Sequence, residues 1–221
     1  MRLSLQTELT IAVIGTALIA IGALFLFKDL NRAEPIYGAE KPAINPTLVR
    51  ENSHRLDTAA DNKATLVEFL DFECEACRAA FPIFEELREK YAGRITFVIR
   101  YFPITTHRNA LNAALAVEAA ARQDQLEPMY RRMFETQSDW GEQSASQAKL
   151  FRTFAVGLDL DMTRYDADVA SESARERVAL DQRDGTALGV SGTPTLFLNG
   201  EKLDLTTVDE LYTSVDNALT N

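Results

Sequence analysis

The only two cysteines of this 221-residue chain, Cys74 and Cys77, are three positions apart, where a strand pattern changes into a helix pattern. Residues 64–72 are almost continuously apolar and rich in β-forming side chains, which predicts a strand buried on both faces. From the first cysteine to about residue 91, apolar side chains recur at helical spacing, so a helix is expected to begin at the cysteines. A buried strand that leads directly into a helix indicates an α/β fold.

The spacing of the two cysteines predicts redox chemistry. Residues at i and i+3 of a helix lie on one face with their Cβ atoms roughly 5–6 Å apart, and a small adjustment brings such a pair within reach of a disulfide. Cys74 would face the free N–H groups and the positive dipole end of the helix, which favour a thiolate. Cys74 is therefore predicted to be the nucleophile, and Cys77 the thiol that resolves a mixed disulfide.

Half of a zinc site is the alternative interpretation of this pair. Zinc requires four ligands, and the chain has no third cysteine and only two histidines, His54 and His107. Neither histidine has metal-site spacing to the other or to the cysteines. We therefore expect neither a metal site nor a cofactor, and a Cys/His metal carrier is the less favoured function.

The remaining pattern predicts an α/β sheet that carries a helical insertion. The other strands are expected at residues 47–51, 95–101, 195–198 and 201–203. A last helix is expected to start at Thr207, which forms a capping box with Glu210. The sheet domain would comprise residues 47–106 and 189–221, and residues 107–188 would be the helical insertion.

An uncharged apolar run at residues 11–27 precedes this domain. As a helix it would span ~25 Å, close to the ~30 Å hydrocarbon core of a bilayer. It is longer than the apolar core of a signal peptide, and no convincing cleavage site follows it. We therefore expect a retained transmembrane anchor at residues 1–28 and a proline-containing linker at residues 29–46. A cleaved signal peptide and a buried core helix are the alternatives.

Charge restricts the partners and the topology of the chain. The net charge of −10 at pH 7 repels a phosphate backbone, so nucleic acid is not an expected partner. Basic side chains are more frequent after the apolar run than before it, which taken alone favours a cytoplasmic domain. Because long domains cross the membrane largely regardless of charge, this indication is weak.

Two further positions are unusual. Glu68 lies inside the predicted 64–72 strand, six residues before the first cysteine, where burial of a carboxylate is costly and should raise its pKa. Near the inner thiol it would relay the proton of Cys77. The alternative is that one face of this strand is exposed to solvent and that Glu68 lies on that face.

Thr193-Pro194 precedes a predicted strand, and because proline cannot donate a ladder hydrogen bond, a special turn or a sheet edge is expected there.

Together these residues resemble the thioredoxin superfamily, and more closely its DsbA-like branch, in which a helical domain is inserted into the thioredoxin fold. The segments that carry the resemblance are Val67-Glu68-Phe69, Phe72-Glu73-Cys74-Glu75-Ala76-Cys77, Pro82 and Gly192-Thr193-Pro194-Thr195. The resemblance implies that Cys74 is the exposed nucleophile, Cys77 the resolving thiol and Glu68 a buried acid beneath them. It also implies that Thr193 and Pro194 belong to a cis-proline loop, which lies against the disulfide and binds the substrate peptide.

The resemblance also implies a function. The N-terminal anchor is similar to that of the membrane-tethered, BdbD-like members, so we expect a membrane-anchored thiol–disulfide oxidoreductase with its catalytic domain on the extracytoplasmic side of the cell membrane. Its partners would be cysteine-containing exported proteins and a membrane redox partner that recycles the cysteine pair. An oxidase is the favoured role, and a disulfide reductase or isomerase on the same fold is the alternative.

One departure from the family pattern favours that alternative. Strong oxidants of this family usually have a proline-containing pair such as Pro-His between the cysteines, whereas this chain has Glu75-Ala76, with Glu73 adjacent. Two nearby carboxylates are expected to raise the pKa of Cys74 by like-charge repulsion. A less stable thiolate would move the reduction potential towards the reducing side.

Overall fold

The computed structural model describes residues 45–61 and 63–220. Within these residues, no helix is both long enough and apolar enough to cross a bilayer. The predicted anchor at residues 1–28 and nearly all of the predicted linker at residues 29–46 lie outside the described residues. Both therefore stay predictions.

Five strands of the described chain form one mixed sheet. They are β1 (His54–Asp57), β2 (Ala64–Leu70), β3 (Ile95–Tyr101), β4 (Thr195–Leu198) and β5 (Glu201–Lys202). Their order across the sheet is β1-β3-β2-β4-β5. The pair β2 and β3 is parallel, and the other neighbouring pairs are antiparallel. Every residue of β2 and β3 is buried, as their continuous apolar sequences predict for central strands.

Helices cover both faces of this sheet. Those in the described residues are α1 (Glu75–Lys90), α2 (Ala110–Ala121), α3 (Leu126–Glu135), α4 (Gln137–Trp140), α5 (Ala148–Gly157), α6 (Met162–Ala170), α7 (Glu172–Ala187) and α8 (Val208–Thr220). Helices α2 to α7 follow one another between β3 and β4. The predicted α/β class is confirmed, with a long helical segment in the middle of the chain.

The predicted strand at residues 47–51 is wrong. These residues form a turn, in which the N–H of Leu48 donates to the carbonyl oxygen of Asn45 at 2.8 Å and the N–H of Thr47 donates to the Asn45 side chain at 2.9 Å. An Asn-Pro pair favours the start of a turn, and Pro46 follows Asn45 here. The first strand of the sheet, β1, begins after this turn.

The sheet separates two apolar cores, because successive side chains of a strand point to opposite faces. Leu66 and Leu70 of β2 belong to the larger core, which includes side chains of α1 and α8. Val67 and Phe69 belong to the smaller core on the other face. Glu68 alternates with Val67 and Phe69, so its carboxyl group lies on the same face as α1.

A buried ionic network attaches α7 to the sheet. Arg100 of β3 is fully buried, and its guanidinium group donates to Asp181 at 2.5 Å and to Asp184 at 2.6 Å. The same group donates to the carbonyl oxygens of Thr47 and Leu48 at 2.8 and 2.5 Å. One cation thus joins β3, α7 and the turn that precedes β1.

The Arg100→Met variant is expected to lower the free energy of unfolding by about 3–5 kcal/mol, because the buried carboxylates of Asp181 and Asp184 lose a charged partner. Urea unfolding measures this change. Arg152→Met is the matched control, since Arg152 pairs with Asp166 on the surface, and near-wild-type stability is expected for it. Equal losses in the two variants would contradict this role for the buried network.

Candidate active site

The two cysteines lie where the C-terminal ends of β2 and β3 meet the start of β4. Asp71 organises the turn from β2 into α1. Its backbone carbonyl accepts the N–H of Cys74 at 3.1 Å, and its carboxylate accepts the N–H groups of Glu73 at 2.8 Å and Ile104 at 2.9 Å. His107 contacts the same carboxylate through Nδ1 at 2.7 Å. This arrangement fixes the backbone at the point where α1 begins.

Cys74 is the N-cap residue of α1, and Cys77 lies one turn further along the helix. Both are free thiols. Cys74 is 8% exposed and Cys77 is 0% exposed. The sulfur of Cys74 lies 3.3 Å from the carbonyl oxygen of Thr193. The pair therefore consists of an outer and an inner thiol.

The surroundings of Cys74 favour its thiolate. A hydrogen bond from the Cys77 thiol is the main reason why the pKa of Cys74 is lowered to about 5. Burial acts in the opposite direction, whereas the Thr193 side chain and the backbone N–H groups of Ala76 and Cys77 lower the pKa further. Cys74 is consequently a thiolate at neutral pH.

The inner thiol has the opposite character. Burial raises the pKa of Cys77 well above its ordinary value, and its hydrogen bond to Cys74 and the charge of Glu68 raise it further. The reduced pair therefore contains one thiolate and one thiol that donates a hydrogen bond to it.

Glu68 of β2 is 1% exposed, so the alternative of a solvent-facing carboxylate is wrong. Its Oε2 atom has no hydrogen-bond partner among the described residues. Burial raises the pKa of Glu68 to about 8, and the negative charges of Cys74 and Glu85 contribute to this rise. Because the charge of Glu68 acts in turn on Cys77, the structure places the predicted acid beside the inner thiol.

The loop before β4 completes the site. The peptide bond between Thr193 and Pro194 is cis, and the Thr193 carbonyl group faces the outer sulfur. Within this loop the Thr195 hydroxyl donates to the carbonyl oxygen of Gly192 at 2.7 Å. The five residues that the sequence analysis proposed for the site thus lie together at one end of the sheet.

The expectation that Glu73 and Glu75 raise the pKa of Cys74 is wrong. The Glu73 side chain is buried, and its carboxylate accepts the N–H groups of Asn109 at 2.6 Å and Glu142 at 3.1 Å. Glu75 is exposed to solvent, where water and salt screen its charge. Despite these two carboxylates the pKa of Cys74 is lowered to about 5, chiefly by the hydrogen bond from Cys77.

Sequence reasoning missed Gln137, a residue of the short helix α4. Its buried side-chain amide donates to the carbonyl oxygen of Phe72 at 2.7 Å and to that of Cys74 at 2.9 Å. These two carbonyl groups flank the turn that carries the outer cysteine, so Gln137 holds this turn in place. No local pattern marks a glutamine whose partners lie in a distant part of the sequence.

The two histidines have partners other than the cysteines. Nε2 of His54 contacts Glu118 at 2.7 Å, and His107 contacts Asp71. Throughout residues 45–61 and 63–220, no group of three or more His, Cys, Asp or Glu side chains is arranged to hold a metal ion.

Solved structures share this fold. The chain is similar to oxidised BdbD from Bacillus subtilis, with a TM-score of 0.70 and 21% identity, over 81% of this chain and 99% of that one. It is also similar to alpha-DsbA1 from Wolbachia pipientis, with a TM-score of 0.69 and 17% identity, over 78% of this chain and 94% of that one. At sequence identities this low, the similarity shows a shared fold and nothing further.

Sequence comparison identifies relatives and a family. The chain is 32% identical over 208 residues to the Na⁺/H⁺ antiporter NhaA 1 of Mycolicibacterium gilvum, which is 90% of this chain and 32% of that protein. It is 34% identical over 143 residues to the antiporter NhaA of Herminiimonas arsenicoxydans, which is 65% of this chain and 22% of that protein. The chain thus spans a third or less of these curated relatives. The thioredoxin family model matches residues 57–217, well over half of the chain, and the protein therefore belongs to the thioredoxin family.

Proposed function

We propose that this protein is a thiol–disulfide oxidoreductase that exchanges a Cys74–Cys77 disulfide with cysteines of client proteins. The observation that carries the proposal is the unequal acidity of the pair, an outer thiolate beside a buried thiol. The thiolate is the species that attacks and leaves in disulfide exchange. Membership of the thioredoxin family and the likeness in fold to BdbD support this function.

In the oxidising direction, a client thiolate attacks the sulfur of Cys74. The bond between Cys74 and Cys77 breaks, a mixed disulfide forms, and the inner sulfur leaves as a thiolate. A second client thiolate then attacks the client sulfur of the mixed disulfide, so that Cys74 leaves as a thiolate and the client keeps the disulfide. Two electrons pass from the client to the cysteine pair.

Glu68 supplies the proton for the inner sulfur. Burial is the main cause of its raised pKa and persists when the pair is oxidised, so the carboxyl group enters the step protonated, whereas a thiolate at the fully buried Cys77 is costly. Transfer of the proton gives a neutral thiol and a carboxylate. In the mixed disulfide Cys74 carries no charge, which removes one cause of the raised pKa of Glu68. In the reverse direction the carboxylate is therefore available to accept the proton of Cys77.

The lowered pKa of Cys74 favours an oxidase over a reductase. A stabilised thiolate stabilises the reduced pair, and this makes the disulfide a stronger oxidant. Glu73 and Glu75, the feature of the sequence that favoured a reductase, do not raise the pKa of Cys74 above its ordinary value.

We further propose that residues 1–28 anchor the protein in the cell membrane, with the catalytic domain on the extracytoplasmic side. The uncharged run at residues 11–27 supports an anchor, and relatives named as Na⁺/H⁺ antiporters support a place at a membrane. Disulfides persist outside the reducing cytosol. The clients would therefore be exported proteins with cysteines, and a membrane redox partner would reoxidise the pair.

The Cys77→Ser variant is expected to accumulate clients as mixed disulfides with Cys74, because the thiol that resolves them is missing. Non-reducing electrophoresis of the full chain from cells grown under oxidising conditions, followed by mass spectrometry of the released clients, measures this. Cys74→Ser is the control and should trap no client. If both variants trap the same proteins, or neither traps any, the assigned roles of the two cysteines are incorrect.

Equilibration of the protein with glutathione buffers separates an oxidase from a reductase. We expect a reduction potential above about −200 mV, towards the roughly −120 mV of oxidants with acidic thiols. Alkylation of the free thiols and mass spectrometry give the reduced fraction in each buffer. A value near about −270 mV, which is typical of thioredoxin, would reject the oxidase and favour the reductase.

A further inference from the structure

A pocket of about 520 Å³ lies next to the turn between β2 and α1, and we call it the His107 pocket. Its walls are the loop that follows β3, the start of α2, the loop before α5 and one residue of α7. The lining side chains that carry the inference are Ile104, His107, Arg108, Leu111, Ser144 and Ser146. Four other grooves of the described chain each include at least one carboxylate, whereas no carboxylate is among the described residues that line this pocket.

Hydrogen bonds to Asp71 connect this pocket to the outer cysteine. The Asp71 carboxylate accepts the N–H of Ile104 at 2.9 Å and contacts Nδ1 of His107 at 2.7 Å. The backbone carbonyl oxygen of the same residue accepts the N–H of Cys74 at 3.1 Å. Asp71 is therefore the one residue between the pocket and the backbone of the nucleophile. Because Nδ1 of His107 contacts Asp71, Nε2 is the ring nitrogen that remains for a ligand.

The His107 pocket and the cis-proline loop lie on opposite sides of the strand that leads to Cys74. This strand, β2, has β3 and β4 as its neighbours in the sheet. The pocket follows β3, where the N–H of Phe102 donates to the carbonyl oxygen of Leu70 at 2.8 Å, whereas Pro194 precedes β4. A client that binds the cis-proline loop on one side of its reactive cysteine would therefore approach the pocket with the residues on the other side.

Hydrogen bonds between its walls hold the pocket in shape. The Asn109 side chain donates to the carbonyl oxygens of Gln143 and Ala145 at 3.0 and 3.3 Å, which fastens the loop before α5 to the start of α2. The Gln182 side chain of α7 donates to the carbonyl oxygen of Pro103 at 2.7 Å. A pocket whose walls are already ordered binds a ligand at a lower cost in conformational entropy.

The lining of the pocket is complementary to a carboxylate with an apolar neighbour. Arg108 is exposed and has no ion-pair partner among the described residues, in a chain whose net charge is −10. The Ser146 oxygen accepts the Asn112 side chain and the N–H of Ala148, both at 3.4 Å, so its O–H remains available to donate. Leu111 is 43% exposed, as few large apolar side chains of the described chain are. A guanidinium group and a hydroxyl donor are the groups that recognise a carboxylate.

We propose that the His107 pocket binds an acidic residue of the client protein, so that Arg108 determines specificity for clients with a carboxylate near the reactive cysteine. The inference rests on the proposed function, because it assigns a substrate preference to the same redox site. The client carboxylate pairs with Arg108 and accepts the Ser146 hydroxyl group, and an apolar neighbour covers Leu111. An extended chain advances ~3.3 Å per residue, so an acidic residue about three to five positions from the client cysteine reaches the pocket.

Three synthetic peptides, each with two cysteines, test this preference. The first has Glu about four positions from the cysteines on both sides, and the second has Gln at the same positions. In the third the Glu residues are about twelve positions away, ~40 Å in an extended chain, which keeps the charge but puts it out of reach. Oxidised full-length protein is mixed with excess reduced peptide at low salt and quenched with acid. Alkylation and mass spectrometry then give the rate at which the peptide is oxidised.

The peptide with nearby Glu should react about fivefold faster than the Gln peptide, which is what an ion pair at an exposed site contributes. The peptide with distant Glu should react like the Gln peptide. In the Arg108→Gln variant the ratio of the nearby-Glu rate to the Gln rate should fall to about one, because the charged partner is lost. Arg175→Gln is the matched control, since Arg175 is an exposed arginine of α7 that does not line the pocket, and it should keep the wild-type ratio.

Three results would overturn the proposal: equal rates for the nearby-Glu and distant-Glu peptides, a wild-type ratio in Arg108→Gln, or an equal loss in Arg175→Gln. Failure of the proposed function looks different, because the wild-type protein would then oxidise none of the three peptides. In that case calorimetry with the nearby-Glu peptide, its cysteines replaced by serine, still tests the pocket. Weaker binding to Arg108→Gln than to the wild type would support the pocket, and equal or absent binding would reject it.

Discussion

The hydrogen bond between the two thiols is the interaction on which the site depends. It is the main cause of the lowered pKa of Cys74, and it also raises the pKa of Cys77. This one contact thus gives two chemically identical side chains different protonation states, with Cys74 a thiolate and Cys77 a thiol. The contact exists because α1 begins at Cys74, so that one helical turn places the inner sulfur beneath the outer one. Burial by β2 and α1 then keeps water away from the inner sulfur.

The helical segment between β3 and β4 acts on this pair in two ways. Gln137 binds the carbonyl group of Cys74 and thereby fixes the start of α1. The N–H groups of Asn109 and Glu142 bind the carboxylate of Glu73, the residue directly before Cys74. The start of α1 therefore carries the two cysteines, and the helical segment between β3 and β4 fixes the turn at which α1 begins.

The sequence alone could predict the strand before Cys74, the helix after it and the burial of Glu68, because these features follow from local periodicity and composition. It could not predict the role of Gln137 or the hydrogen-bond partners of Glu73, because these partners lie far away along the chain.

The role of Gly185 could not be predicted from the sequence either. Glycine weakens a helix pattern, yet in α7 a Cβ added at Gly185 would lie within 2.9 Å of the rings of Phe69 in β2 and Phe102, which directly follows β3. Only the tertiary packing of α7 explains why glycine is needed there.

The most direct test of the account is an acid titration of the reduced protein, followed by the ultraviolet absorbance of the thiolate. We expect one thiolate with a pKa of about 5 in the wild type. In the Cys77→Ala variant the midpoint should move to higher pH, because the hydrogen-bond donor is lost. A wild-type midpoint near the ordinary cysteine value of about 8.5, or a midpoint that does not change in Cys77→Ala, would contradict the account.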